Sequence, residues 1–221
     1  NGIAEGACDC EGSVEDCAGE CGGDAVIDEC DVCGGGGIAD GACDCSGSVA
    51  DCAGECGGSA SEDSFGVCDG DGTLQGAIDA ADSGATINVP AGDYGPISIS
   101  KPLTLLGSEG ATIDGSGYDR AVQISAAGVT VSGFEIKGDG GTIVGVDIRP
   151  GSDGVTVSDN TIHGMSKPNE PSGIPSAFGI VAWGAEGPDP TNPKNITISG
   201  NDISDIKSIG ISISPFIENV D

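Results

Sequence analysis

Short runs in the second two thirds of the chain alternate apolar and polar residues. Leu103-Thr-Leu105, Val129-Thr-Val131, Val155-Thr-Val157 and Ile196-Thr-Ile198 align at spacings of 26, 26 and 41 residues. A second set falls between them: Val122-Gln-Ile124, Val146-Asp-Ile148, Ile180-Val-Ala182 and Ile211-Ser-Ile213. Period-two alternation marks a half-buried strand with its apolar face on a core. Coils of roughly two dozen residues, each turned by Gly or Asn, predict an all-β solenoid whose coils bury their faces against one another. About four or five coils fit. Ahead of them, Leu74, Ala77, Ile78 and Ala81 share one helical face, with Thr73 as N-cap and Gly84 as the stop. This predicts a capping helix over 73–83 that covers the solenoid's open end, where core and strand edges would otherwise face water.

The first 72 residues lack this pattern and repeat instead. NGIAEGACDCEGSVEDCAGECGG at 1–23 returns as GGIADGACDCSGSVADCAGECGG at 36–58, an offset of 35 residues. Cys8 matches Cys43, Cys10 matches Cys45, Cys17 matches Cys52, Cys21 matches Cys56 and Cys33 matches Cys68; Phe65 stands where Cys30 would recur. The organisation is therefore two Cys-rich repeats, 1–35 and 36–72, then a solenoid over 73–221. A repeat whose large apolar residues are Ile3, Val14, Val26, Ile27 and Val32 buries too little surface to offset its conformational entropy. Disulfides supply the constraint, each contributing ~3 kcal/mol for a closed loop of about 15 residues. They place the chain in an oxidising compartment, outside the cell or at its surface. Zinc is the competing reading, through the Cys30-Asp-Val-Cys33 knuckle and Cys8-Asp-Cys10. A single His and the density of acids and Gly favour disulfides. Sequence does not give the pairing. Eleven cysteines leave one that is unpaired, that bridges another chain, or that lost its partner by trimming.

Charge narrows the function classes. There are 36 acidic side chains against 7 basic ones, a formal charge of −29. Nucleic acid is excluded as a partner, because phosphate binding needs clustered Lys and Arg. No apolar run approaches the ~20 residues of a membrane helix, so membrane insertion is not expected. The start at Asn1, without Met or an apolar leader, suggests a mature or trimmed product. Half of the acids, and no Lys or Arg, fall within 1–72. No cofactor is required. Calcium is the one candidate ion, at Asp69-Gly-Asp71, although the remaining ligands of a full calcium loop are missing. Diffuse screening by divalent ions is the broader expectation for so acidic a segment.

Candidate sites on the solenoid are few. Asn160 and Asn201 follow aligned strands and are expected to form an internal Asn ladder. The second strand set puts Asp147, Arg149, Val181, Trp183, Ser212 and Ser214 on one outer face. Arg149 and Trp183 then become neighbours able to contact a glycan ring. His163 reads as a lone turn residue, and no acid–base cluster is evident among Arg120, Arg149 and the five Lys. The column Thr104, Thr130, Thr156 and Thr197 reads as strand propensity rather than an ice-binding array. Six of the eleven Pro stiffen two loops within Lys167–Lys194, which suit glycan or inter-subunit contact. Asn195-Ile-Thr197 is an N-glycosylation sequon.

Two resemblances add to this reading. DCAGECGG and DECDVCGG resemble the Cys/Gly/Asp-rich repeats of secreted marine microbial and algal cell-surface proteins, and more distantly the acidic type 3 repeats of thrombospondin. The stretch ATINVPAGDYGPISISKPLTLLGSEGATIDG, with VTVSDNTIHGM and ITISGNDISDI, resembles right-handed parallel β-helices of the pectate-lyase-like superfamily. That resemblance implies a right-handed parallel β-helix. It does not select an activity, because the fold hosts lyases, epimerases, glycosidases, adhesins and scaffolds. The expectation is a secreted structural or adhesive protein of the cell surface or an extracellular filament. It would associate with itself through both module types, and also with polysaccharide. The final coil lacks an evident cap, so the polypeptide is expected to continue or to stack on another molecule. The alternative is an extracellular polysaccharide lyase or epimerase.

Overall fold

The computed structural model describes residues 3–166, 177–185, 187 and 189–221. The chain divides into two compact units, Asn1–Glu62 and Asp63–Asp221.

The first unit is built from loops. Isolated antiparallel bridges pair Glu15 with Cys21, Ile27 with Cys33 and Ala50 with Cys56. Disulfides join Cys8–Cys21, Cys17–Cys33, Cys30–Cys45 and Cys43–Cys56. Cys52 and Cys68 are disulfide-bonded as well. The zinc reading therefore falls, since both knuckle sulfurs, Cys30 and Cys33, are consumed in S–S bonds. Between the staples, aspartates order the backbone. Asp28 Oδ1 accepts the N–H groups of Cys30 and Val32 at 2.9 Å each, and its Oδ2 accepts that of Gly37 at 2.8 Å. Asp16 and Asp51 repeat the arrangement. Asp63, in the second unit, does so again. Much of the acidity is thus the means by which a coreless loop satisfies its backbone donors.

The second unit opens with α1 (Leu74–Ala80). Thr73 caps it, its hydroxyl accepting the Gly76 N–H at 2.9 Å. Lys101 closes the other end by donating to the Asp79 and Ala81 carbonyls. Leu74, Ala77 and Ile78 are buried. The helix packs on β1 (Thr86–Val89) and β3 (Ile97–Ile99). It also pairs the exposed edge of β3: Gln75 Oε1 accepts the Ser98 N–H at 2.8 Å and Gln75 Nε2 donates to the Ser98 carbonyl at 3.2 Å. The helix thus covers the core and satisfies the edge strand together.

Behind it the chain winds through three parallel sheets, which makes the unit a parallel β-helix. The first sheet stacks β1, β4 (Thr104–Gly107), β7 (Thr130–Ser132), β10 (Thr156–Ser158), β13 (Lys194–Ser199) and β16 (Glu218–Val220). The second stacks β2 (Gly92–Tyr94), β5 (Ala111–Asp114), β8 (Glu135–Lys137), β11 (Thr161–His163) and β14 (Asp202–Ser204). The third stacks β3, β6 (Arg120–Ile124), β9 (Val144–Ile148), β12 (Phe178–Ala182) and β15 (Ile209–Ile213). The two strand sets expected from the sequence form the first and third sheets. The second sheet was not foreseen. Its strands are three or four residues long, and their shared core position is the single column Tyr94, Ile113, Ile136, Ile162 and Ile203.

The core is a stack of aliphatic rungs. Leu105, Val131 and Val157 are fully buried in the first sheet, Ile113, Ile136 and Ile162 in the second, Ile124, Ile148 and Ile180 in the third. The expected Asn ladder is present. Asn160 Oδ1 accepts the Phe134 N–H at 3.0 Å, and Asn160 Nδ2 donates to the Val131 carbonyl and to Asn201 Oδ1. Asn201 Nδ2 donates in turn to the Val157 carbonyl at 2.8 Å. Where the third sheet begins, Ala121, Gly145, Gly179 and Gly210 align, and a Cβ at Gly179 would lie 2.5 Å from the Gly210 carbonyl oxygen. At Gly145 and Gly179 the coils approach so closely that a side chain does not fit.

Candidate functional site

Two clusters of charged side chains stand on the outer faces of the helix. The first lies on the third sheet. Gln123, Asp147, Val181 and Ser212 are in register across β6, β9, β12 and β15, as the sequence pattern requires. Trp183 donates its backbone N–H to the Ile148 carbonyl, which sets it beside Arg149 on the neighbouring coil. The structure corrects one point. Asp147 and Val181 are outward in register but buried. The Asp147 side chain is only 1% exposed, beneath Arg120 and Arg149. Arg120 Nε is 2.7 Å and Arg149 Nε 3.7 Å from Asp147 Oδ2. Among the described residues, neither Asp147 carboxylate oxygen makes a hydrogen bond of good geometry, and the attraction to the two arginines is chiefly coulombic. Burial pushes the Asp147 carboxyl above its usual range, and the charges of Arg149 and Arg120 oppose that rise. Trp183 is 41% exposed, with Phe178 edge-on at 6.2 Å. The patch therefore offers two half-exposed guanidinium groups and one half-exposed indole on a rigid strand platform. It suits contact with a planar or ring-shaped ligand that carries hydrogen-bond acceptors.

The second cluster lies on the second sheet and was missed in the sequence. His163 is not a lone turn residue. Its Nε2 is 2.9 Å from Glu135 Oε1, and Thr112 Oγ1 donates to Glu135 Oε2 at 3.2 Å. Two residues on along β8, and in register with His163, Lys137 Nζ lies 3.3 Å from Asp114 and 3.5 Å from Asp93. Contact with His163 and Thr112 holds Glu135 below the usual carboxylate range, and Asp114, with Asp93, raises Lys137. Six side chains from four coils thus stand on one face. A carboxylate paired with an imidazole is an arrangement that can move a proton. A Lys held charged by two carboxylates orients an anion rather than acting as a base. The contacting residues sit 23 to 44 positions apart, on strands too short to show a period, so a linear reading had no signal for them.

Other expected positions are accounted for locally. Asp71 Oδ1 accepts the N–H and hydroxyl of Thr73, and Asp69 lies at a positive φ of 51°. Among the described residues, no three His, Cys, Asp or Glu side chains converge as a metal site. Asn195 is exposed, and its Oδ1 accepts from Asn219 Nδ2 at 2.9 Å. The loop SKPNEPSGIPSA lies outside the described residues except at its two ends. In the other Pro-rich loop, Asn192 is buried, its Oδ1 accepting the Ala185 N–H and its Nδ2 donating to the Gly187 carbonyl. Among the described residues, no helix is long and apolar enough to cross a membrane. Compared with known proteins, the chain matches no family model, no curated protein and no solved structure.

Proposed function

We propose that the chain is an extracellular structural and adhesive protein, in which cystine-stapled repeats act as a spacer and the β-helix as a rigid body that presents binding faces. The observation that carries this reading is the Cys30–Cys45 bridge, which ties one repeat to the next and makes the array covalently continuous. Ten cystine cysteines suit an oxidising setting. Adhesion is assigned to the Arg120, Arg149 and Trp183 face, with polysaccharide as the partner. Self-association is assigned to the apolar patch of exposed Ile211, Phe216 and Val220. Calcium would act by screening the acidic repeats.

Negative-stain microscopy and light scattering, with and without calcium and reductant, test self-association. Large assemblies lost on reduction or chelation support it, and a monomer under every condition overturns it. A glycan panel read against Trp183→Ala tests adhesion: binding is expected to fall at least ~10-fold, the scale of one lost aromatic contact. The Glu135–His163 pair favours a second reading, a polysaccharide lyase or epimerase. Release of unsaturated or reducing-end products, abolished by His163→Ala, would establish it.

A further inference from the structure

The two Cys-rich repeats differ at one sulfur. Cys8–Cys21 has its exact counterpart 35 residues on in Cys43–Cys56. Cys45 is bonded to Cys30, whereas Cys10, which occupies the position of Cys45, is free and exposed. The loops that carry the two sulfurs are built alike. Asp9 Oδ1 accepts the N–H groups of Glu11 and Ser13, and Asp44 Oδ1 those of Ser46 and Ser48, all at 2.9 Å. The Cys8 and Cys43 N–H groups donate to the Ser13 and Ser48 carbonyls at 2.8 Å.

What covers the second loop is seen directly. The Cys30 knuckle docks on it through three contacts: the disulfide, Asp28 Oδ2 on the Gly37 N–H at 2.8 Å, and Glu29 Oε1 on the Ile38 N–H at 3.3 Å. Ile38 is half-buried there, while its counterpart Ile3 is 55% exposed. The first repeat therefore repeats the receiving loop, with both its sulfur and its apolar neighbour uncovered. At the other end of the array the donor is missing. Phe65 replaces the knuckle cysteine, and its ring lies 5.7 Å from that of Tyr94.

We propose that the Cys10 loop is a docking site for the Cys30-type knuckle of another repeat, closed by a disulfide to Cys10. The partner is a loop of the form Asp-Glu-Cys, in which the two acids accept backbone N–H groups and the cysteine supplies the second thiol. Two thiols join as one S–S bond and release two protons and two electrons. A small-molecule disulfide accepts them and is reduced to two thiols. The array is then directional: Cys10 receives, Cys30 donates to Cys45, and Phe65 ends the series. The inference goes beyond the structural reading above and does not depend on it, since the pairing pattern alone carries it.

The test mixes the full chain with a chain carrying Cys10→Ser and Cys45→Ser, whose knuckle thiol is free, in a reduced and oxidised glutathione buffer. Non-reducing digestion and mass spectrometry then map the new bond. The expected product is a mixed dimer joined through Cys10 and Cys30. A synthetic peptide of residues 24–35 with Cys33→Ser serves as a donor that requires no folding. It should be captured at Cys10 at least ~10-fold more than the same peptide with Asp28→Ala and Glu29→Ala, the scale of one charge-assisted hydrogen bond. Cys10–Cys10 dimers as the main product would overturn the proposal. So would equal capture of the two peptides, or glutathione as the preferred partner of Cys10.

Discussion

Single residues set the conformation of the acidic repeats and the tolerance of the β-helix core. The Val32 N–H, followed by that of Gly37, holds the Asp28 carboxyl below its ordinary value of 3.8. A carboxyl depressed on folding contributes stability that is fully present above its unfolded pKa and is lost as pH falls through the folded one. Asp16, Asp51 and Asp63 shift in the same direction through their own backbone contacts. NMR titration of the full chain should therefore show these midpoints below 3.8, with the Val32 and Gly37 amides losing protection through the same range. Asp147 behaves in the opposite sense, because its carboxyl is raised. Its contribution is present below the unfolded pKa and is lost as pH rises through the folded value, so the ionised form opposes folding. Asp147→Asn is expected to melt higher than the parent at pH 7 and level with it near pH 3, by calorimetry. Asn160→Ala strands the buried Phe134 N–H and Val131 carbonyl and should cost about 2–3 kcal/mol in denaturant unfolding. Asn201→Ala should cost less, since Asn201 is only partly buried.

At the scale of elements, helix α1 was legible to within a few residues, because its spacing, cap and stop are local. The strands of the first and third sheets were legible for a related reason: each carries two inward residues around one outward residue. Strands of the second sheet carry one inward residue among turns, and a single Ile has no period. That gap hid Glu135, His163 and Lys137 as neighbours. The alignment of Gly145, Gly179 and Gly210 was equally silent, since in a chain with 41 glycines three more carry no message until the coils are stacked. Gly179→Ala would place its Cβ 2.5 Å from the Gly210 carbonyl and 2.7 Å from Ile203 Cγ2, and is expected to cost about 1–3 kcal/mol. Ile78→Ala, at 1% exposure on the inner face of the cap, should cost about 2–5 kcal/mol and increase dye binding to the uncovered coil.

For the whole molecule, two quasi-one-dimensional architectures follow one another, each stabilised by a different force. The repeats depend on covalent staples and backbone-capping acids; the β-helix depends on buried aliphatic rungs. Reduction should therefore unfold the first unit while leaving the circular dichroism of the β-helix intact, and strong denaturant should do the reverse at neutral pH. A single cooperative loss of both under reductant would contradict this separation.

The amino-acid sequence by itself determined the solenoid class, the capping helix, the repeat offset and the need for disulfides. Each of these is written in local spacing or in a count of core-forming residues, and neither requires knowing which coil lies on which. Only the tertiary structure decided which cysteines pair, that Asp147 is buried beneath two arginines, and that His163 meets Glu135. The last two depend on register between coils some two dozen residues apart, and the first on how loops spanning 13 to 16 residues close on one another, neither of which local spacing records.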